Sequence, residues 1–389
     1  MCPIFRFSGP NGGPKQAHAV WQWFNCCAAR VPEGKAPLRI NLDETSVCLF
    51  QGGGKGTIIF KKRRDPPATE PHESAPRAKR RTCLTHVAFI CDRSDIQPLL
   101  PQVVVGNEAT LKAGDLARLI AACPPNVQLV RQKSAWNNMR LMVQIINMLA
   151  SALRPHMDRF QPFLLLDASR VHLHPEVFYR SLALKIWPIV VPAKLTWLLQ
   201  PCDTHLFQKY KADLQRAYQA CRLDAGSREL EVEDFLTCMW SAIRRVFQGT
   251  VWDVAFDGDG FGHNQQRLST YIQRQLQMTE PLALPAGVPS EDMLKLCFPR
   301  GAKVPYRALM RPLEPAPSPA AIAAAPVGHR MARRILPASF GKAAPAVPKL
   351  LALPSSRMPV AKALAGREPR TRSEHRLREA LAKGRAETE

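Results

Sequence analysis

Three apolar, β-branched runs follow one another early in this chain, Leu38 to Phe50, Thr82 to Cys91 and Leu99 to Val105, before helix and strand patterns begin to alternate. The three runs predict consecutive strands in an antiparallel meander. Val127 to Val130 reads as a short strand, and Trp136 to Leu153 repeats apolar residues at helical spacing (Met139, Leu141, Met142, Ile145, Ile146, Leu149). The run Phe163-Leu164-Leu165-Leu166 is short and apolar enough for a buried parallel strand. A helix is expected from Pro175 to Ala183 and a strand over Trp187 to Val191, then helices from Asp203 to Ala220 and from Val232 to Val246. This order predicts an α/β fold, a mixed sheet with helices on its faces.

A chain of 389 residues, 46% of them hydrophobic, can bury one sizeable core with room for a smaller second. No stretch approaches the roughly 18 uninterrupted apolar residues of a membrane span, and the start of the chain lacks a secretory pattern, so a soluble intracellular protein with no membrane partner is expected. Eleven cysteines without a CxxC spacing read as reduced thiols rather than a zinc framework. Fifty-four Lys and Arg against 32 Asp and Glu leave +22, which makes nucleic acid the default partner through counterion release.

That charge is unevenly placed. From Gly301 onward the chain is rich in Ala, Pro and Arg, has seventeen basic and six acidic residues, and is expected to be a disordered basic tail (301–389). A second basic block, Lys61, Lys62, Arg63 and Arg64 and then Arg77, Lys79, Arg80 and Arg81, lies among prolines in an expected loop at 61–81. Two such clusters fit a bipartite nuclear-import signal or a loop that grips phosphates; a solvated loop with incidental charge is the alternative. The remaining expectations are an N-terminal extension with room for one helix (1–35), a folded domain over 36–265 and a helical extension over 266–300.

Three acids stand out. Asp43 lies inside an apolar strand, where aspartate neither packs nor stays solvated. Asp167 ends the buried run FLLLD, at the strand edge where open α/β sheets place ligands. Asp203 opens a helix, where the first-turn dipole favours a negative group. Singly, each has another reading: Asp43 paired with a buried Arg or Lys, Asp167 beginning a turn, Asp203 capping its helix. Together, three carboxylates converging on one face would make a hard oxygen site for Mg²⁺ or Mn²⁺, and two such ions suit an in-line phosphodiester displacement.

The ordered segments NLDET at Asp43, SAWNNMRL at Trp136, LLLDASRVH from Leu164 to His172, LTWLLQPCDTHLFQKYK from Leu195 to Lys211 and WDVAFDGDGFG from Trp252 resemble the DDE endonuclease domain of mariner/pogo-type (Tigger/jerky-like) transposases. The resemblance implies an RNase H-like fold, two divalent ions, and Asp43, Asp167 and Asp203 as catalytic metal ligands. It also implies a DNA substrate, nuclear localisation and a homodimer as an open expectation, without a small-molecule cofactor. His172 matches a histidine that follows the second acid by five positions, with substrate contact or a bond to backbone as its expected role; Trp136 is expected to pack its helix onto the sheet.

Departures from the family pattern bear on activity. Ala168 stands where the family usually has Asn after the second acid, and Lys194 and Trp197 interrupt the stretch before LLQP. About 35 residues precede the first expected strand, too few for the family's helix-turn-helix regions, so specific recognition of transposon ends is expected to be missing. Two functions stay open: metal-dependent DNA cleavage and strand transfer, or a catalytically inactive, domesticated nuclear DNA-binding or interaction protein. A zinc hydrolase built on His172, His174, Asp203 and His205 is a third reading.

Overall fold

The computed structural model describes residues 12–48, 83–226, 228, 230–262, 268–277 and 287–311. In chain order the helices are α1 (Gly12–Ala28), α2 (Leu116–Ala121), α3 (Met139–Leu153), α4 (Pro175–Ala183), α5 (Thr196–Leu199), α6 (Phe207–Ala225), α7 (Val232–Ile243), α8 (Asp253–Gly258), α9 (Thr270–Gln275), α10 (Glu291–Lys295) and α11 (Tyr306–Met310). The strands are β1 (Ala36–Cys48), β2 (Cys83–Cys91), β3 (Gln102–Asn107), β4 (Val127–Gln132), β5 (Phe160–Asp167) and β6 (Trp187–Val191).

The sheet order is β4-β3-β2-β1-β5-β6. β1 pairs antiparallel with β2 and β2 with β3, as the expected meander requires, while β5 runs parallel to both β1 and β6. The five strands β3-β2-β1-β5-β6 reproduce the RNase H-like arrangement, and β4 extends it by a parallel edge strand beside β3.

Period-2 alternation explains why both faces are covered. Leu38, Ile40 and Leu42 of β1, Val87 and Phe89 of β2, and Leu164 and Leu166 of β5 point to one side. There they bury Leu141, Met142, Ile145, Ile146 and Leu149, the apolar stripe of α3. Ala88, Ile90, Phe163, Leu165 and Ile189 face the other side and pack with α1, α6 and α7 through Phe24, Tyr210, Leu214, Phe235 and Trp240. Asn138 starts α3 by accepting the Leu141 amide, a cap that leaves Trp136 outside the helix. Trp136 is 76% exposed, so it does not pack the helix onto the sheet as the sequence led one to expect; its side chain precedes the amphipathic stripe instead of joining it.

α1 is a core element rather than an appendage. Trp21, Trp23 and Phe24 are buried, and the Phe24 ring meets Phe163 of β5 edge-on at 5.7 Å. Trp21 Nε1 donates to the Asp259 carbonyl at 3.0 Å, and the next residue, Gly260, has φ +85°. A Cβ at Gly260 would stand 2.4 Å from that indole nitrogen, so this turn needs glycine for both space and backbone conformation. Order also continues past Gly301, where a disordered tail was expected to begin: Leu309 and Met310 of α11 are buried, enough apolar surface to hold that short helix. The rest of that expected tail lies outside the described residues. Among the described residues no helix is long and apolar enough to cross a membrane.

Candidate metal-binding acidic site

The alternation that buries Leu38, Ile40 and Leu42 on one face of β1 sends Arg39, Asn41 and Asp43 to the other. On β5 the same side carries Phe163, Leu165 and Asp167. Because the strands are parallel with Asn41 opposite Leu165, two further residues along each bring Asp43 and Asp167 to the same level of the same face. Asp203 arrives on the first turn of a helical segment. A π-helical turn, Cys202–Leu206, leads into α6, and the Cys202 amide donates to the fully buried Asn41 Oδ1 at 2.7 Å. Asn41 Nδ2 donates to the Leu165 carbonyl at 3.0 Å, so one asparagine ties β1, β5 and the Asp203 turn together. From its far side the turn is held by Asp259, which accepts Thr204 Oγ1 at 2.6 Å and His205 Nε2 at 3.2 Å.

The three expected acids are therefore brought to one face, and their charges act on one another. Burial pushes the Asp43 carboxyl well above its ordinary range, and the negative charges of Asp203, Asp167 and Glu44 push it further; the Glu44 amide, donating at 2.8 Å, offsets this only in part. Asp203 is raised by burial and by Asp167, with Thr196 and Lys211 acting the other way. The strand's own cation does not rescue Asp43. Arg39, 5% exposed, gives Nε to Asp92 at 2.6 Å and Nη1 to Asp257 at 2.5 Å and to the Phe261 carbonyl at 2.9 Å. Pairing of Asp43 with a buried arginine is thus not what the fold uses.

Asp167 differs from the other two. His172 Nδ1 donates to its Oδ1, which also accepts the Ser169 amide at 3.2 Å, and His172 Nε2 donates to Glu44 Oε1 at 3.2 Å. Asn137 Nδ2 donates to the same Glu44 oxygen at 2.6 Å. Burial alone would drive the His172 pKa down, but the Glu44 charge and the bonds to both carboxylates outweigh it and raise it to about 10. The imidazolium in turn holds Asp167 and Glu44 below the ordinary carboxylate range, against the opposing effect of burial. His172 is fully buried, which corrects its expected role: both ring nitrogens are taken by carboxylates, so neither substrate nor backbone is its partner.

A stability prediction follows from this bridge. The folded-state pKa of His172 lies above its ordinary value of 6.5, so its contribution is fully present below pH 6.5 and lost as pH rises through about 10. His172→Gln should cost about 2 kcal/mol at pH 6, with the deficit fading by pH 10.5 in urea denaturation series. A deficit that does not change with pH would reject an imidazolium bridge.

Other expected residues fall elsewhere. His174 caps α4 by accepting the Glu176 amide and His205 bonds Asp259, which leaves the zinc-hydrolase set His172, His174, Asp203 and His205 without a common centre. Lys61, Lys62, Arg63, Arg64, Arg77, Lys79, Arg80 and Arg81 lie outside the described residues. Sequence reasoning missed Glu44, Asn41, Asn137 and Asp259. For Glu44 a signal existed, an acid adjacent to Asp43 and therefore on the opposite strand face; Asp259 offered none, since only the tertiary fold brings it to the Asp203 turn.

Carboxylate oxygens are the donor type that Mg²⁺ and Mn²⁺ take, and the mutual repulsion centred on Asp43 is what a divalent cation would relieve. Beside Asp203, the fully buried side chain of Gln200 has neither Nε2 nor Oε1 partnered among the described residues, an unmet polar demand at the same turn. The donor set thus fits a divalent ion in its chemistry. Its spacing is not closed: among the described residues no group of three or more His, Cys, Asp or Glu side chains is arranged to hold a metal.

Residues 84–251 match the family described as DDE superfamily endonuclease, a span that begins after β1 and so leaves out Asp43. No curated protein matches the chain. Similar solved structures include the "Mos1 transposase paired-end complex with left transposon end", at 16% identity and a TM-score of 0.32, over 64% of this chain and 63% of that one. The "Crystal structure of the Mos1 mariner paired end complex with Mn" matches at 14% identity and a TM-score of 0.29, over 63% of each chain. This chain therefore spans less than two thirds of the length of those solved chains. Residues 84–251, which run from β2 past the end of α7 and include Asp167 and Asp203, are thus similar to a DDE superfamily endonuclease domain.

Proposed function

We propose that the chain is a metal-dependent DNA endonuclease and strand-transfer domain of the transposase type, with Asp43, Asp167 and Asp203 holding two Mg²⁺ or Mn²⁺ ions. The observation that carries this reading is the convergence of three acids, remote in sequence, on one sheet face where burial and mutual charge raise Asp43 without an arginine to relieve it. Bound there, the ions would supply charge stabilisation to the attacking and leaving oxygens of a phosphodiester. The chain's own residues do the positioning: Asn41 seats the Asp203 turn, Asp259 steadies it through Thr204 and His205, and His172 orients Asp167 through Oδ1. The basic clusters Lys61 to Arg64 and Arg77 to Arg81 are proposed to hold DNA phosphates and to direct the protein to the nucleus, where it acts as a homodimer.

One observation favours the second reading, an inactive nuclear DNA-binding or interaction protein. The buried imidazolium already neutralises Asp167, and Ala168 beside it packs into the core and brings no amide to the site. Divalent-dependent nicking of supercoiled DNA separates the two. The first reading expects nicking by the wild type and loss to background in each of Asp43→Ala, Asp167→Ala and Asp203→Ala. Equal traces from all four proteins would sink it in favour of the second.

A further inference from the structure

Cys48 ends β1, Cys83 begins β2, and the two are directly opposed in the antiparallel register. Their Sγ atoms stand 2.9 Å apart. Residues directly opposite in an antiparallel pair have Cα atoms about 4.5 or 5.5 Å apart, and both spacings lie within the span a disulfide accepts. Cys48 is the exposed thiol among the described cysteines and Cys83 is half-buried, as are Cys123 and Cys221, whereas Cys26, Cys27, Cys91, Cys202, Cys238 and Cys297 are buried. The pair is also 35 positions apart in sequence, and both basic clusters, Lys61 to Arg64 and Arg77 to Arg81, lie between its members.

We propose that Cys48 and Cys83 are a redox-modification site, a dithiol that a hydroperoxide oxidises to a disulfide, covalently closing the β1–β2 pair at the base of the basic segment. The chemistry balances with hydrogen peroxide as the oxidant. One sulfur, as thiolate, attacks the O–O bond and becomes a sulfenic acid while the departing oxygen leaves as water. The second sulfur then attacks the sulfenic sulfur and its S–O bond breaks, releasing a second water. Two thiols and one peroxide yield one disulfide and two waters, the peroxide taking up the two electrons.

The geometry makes the second step fast, and the surroundings of Cys48 slow a first attack by that sulfur. Each sulfur already lies against its partner, so a sulfenic acid formed on either one meets a resolving thiol at once. Although the Cys48 residue is exposed overall, partial desolvation of its sulfur against the strand pair and the bond to Cys83 raise its pKa to about 11, with Lys211 opposing them in part, so Cys48 thiolate is scarce at neutral pH. Oxidation that starts at Cys48 should therefore accelerate as pH rises above neutral. The site responds to sustained oxidant rather than to a brief pulse. It is independent of the metal reading, because neither sulfur belongs to the acidic cluster.

The test treats the folded full-length protein with hydrogen peroxide, blocks residual thiols with N-ethylmaleimide and maps peptides. A Cys48–Cys83 linked peptide that dithiothreitol reverses is expected, with a Tm raised by about 5 °C in the oxidised protein and unchanged in peroxide-treated Cys48→Ser. Phenylarsine oxide, which bridges two adjacent thiols and releases water, should bind both cysteines of the reduced protein without any oxidant. The proposal is overturned if no Cys48–Cys83 linked peptide forms, if the pair ends as separate sulfinic acids or intermolecular dimers, or if the arsenical fails to bridge it. None of these readouts depends on DNA cleavage, so failure here and failure of the nuclease reading are distinguishable.

Discussion

Arg39→Ala is expected to cost about 3 to 5 kcal/mol, the usual penalty for breaking a buried ion pair from one side. Arg39 is the hub between β1, the end of β2 and the closing segment after α8. Its backbone amide and Nε both donate to Asp92, at 3.1 and 2.6 Å, and Nη1 reaches Asp257 and the Phe261 carbonyl. The guanidinium also lies over the Phe256 ring, 5.6 Å from its centroid. Alanine would leave the buried Asp92 carboxylate without its cation and the Phe261 carbonyl without a donor. Against a net stability of about 5 to 15 kcal/mol, that loss should lower Tm by about 10 °C. Urea denaturation measures it, and Asp92→Asn in the Arg39→Ala background should restore part of the loss by removing the stranded charge. A single-mutant cost under about 1 kcal/mol would mean that the cluster does not hold the closing segment.

Asp43→Asn should do the opposite to stability while removing the divalent-dependent nicking proposed above. The carboxylate sits 8% exposed among Asp167, Asp203 and Glu44, with its pKa raised by burial first and by those charges next. An amide of the same shape removes the charge that burial and repulsion penalise, so the metal-free protein should melt about 3 °C higher than wild type. Under the proposed metal role, magnesium should reverse the ranking. At about 100 times its Kd, a bound ion stabilises the wild type by about 2.7 kcal/mol, and Asp43→Asn should lose most of that upward shift together with divalent-dependent nicking. Thermal melts with and without Mg²⁺ read both effects. A mutant that melts lower than wild type without metal, or that keeps the full Mg²⁺ shift, would contradict the reading of these acids as an uncompensated ligand set.

Much of the frame is legible along the chain because strand and helix periods leave local marks. The meander, the buried strand ending at Asp167, the helix from Pro175 to Ala183 and the strand from Trp187 to Val191 all occur as the apolar patterns predict. Strand ends blur by a few residues, as with β3, which starts at Gln102 after a 3-10 turn at Gln97–Leu99. Trp136 misled because a tryptophan next to an amphipathic stripe looks like part of it, whereas the cap at Asn138 excludes it. α1 was underrated because a helix near one end of a chain carries no mark of what it will pack against; Phe163 and Phe261 supply that answer.

For the candidate site, the sequence by itself determined which side of its own strand Asp43 takes. Side chains alternate along a strand, so Asp43 must point with Asn41 and Arg39, away from Leu42. Only the tertiary structure decided what each polar group would meet. Arg39 could have neutralised Asp43 four residues along the same face, yet it pairs with Asp92 and Asp257, 53 and 218 positions away. Asn41 holds Cys202 across 161 positions, and His172 bridges Asp167 to a glutamate 128 positions distant. Local pattern fixes direction because it follows from backbone geometry. The choice of partner is a competition among all groups that packing brings within reach, and packing exists only once the chain has closed on itself.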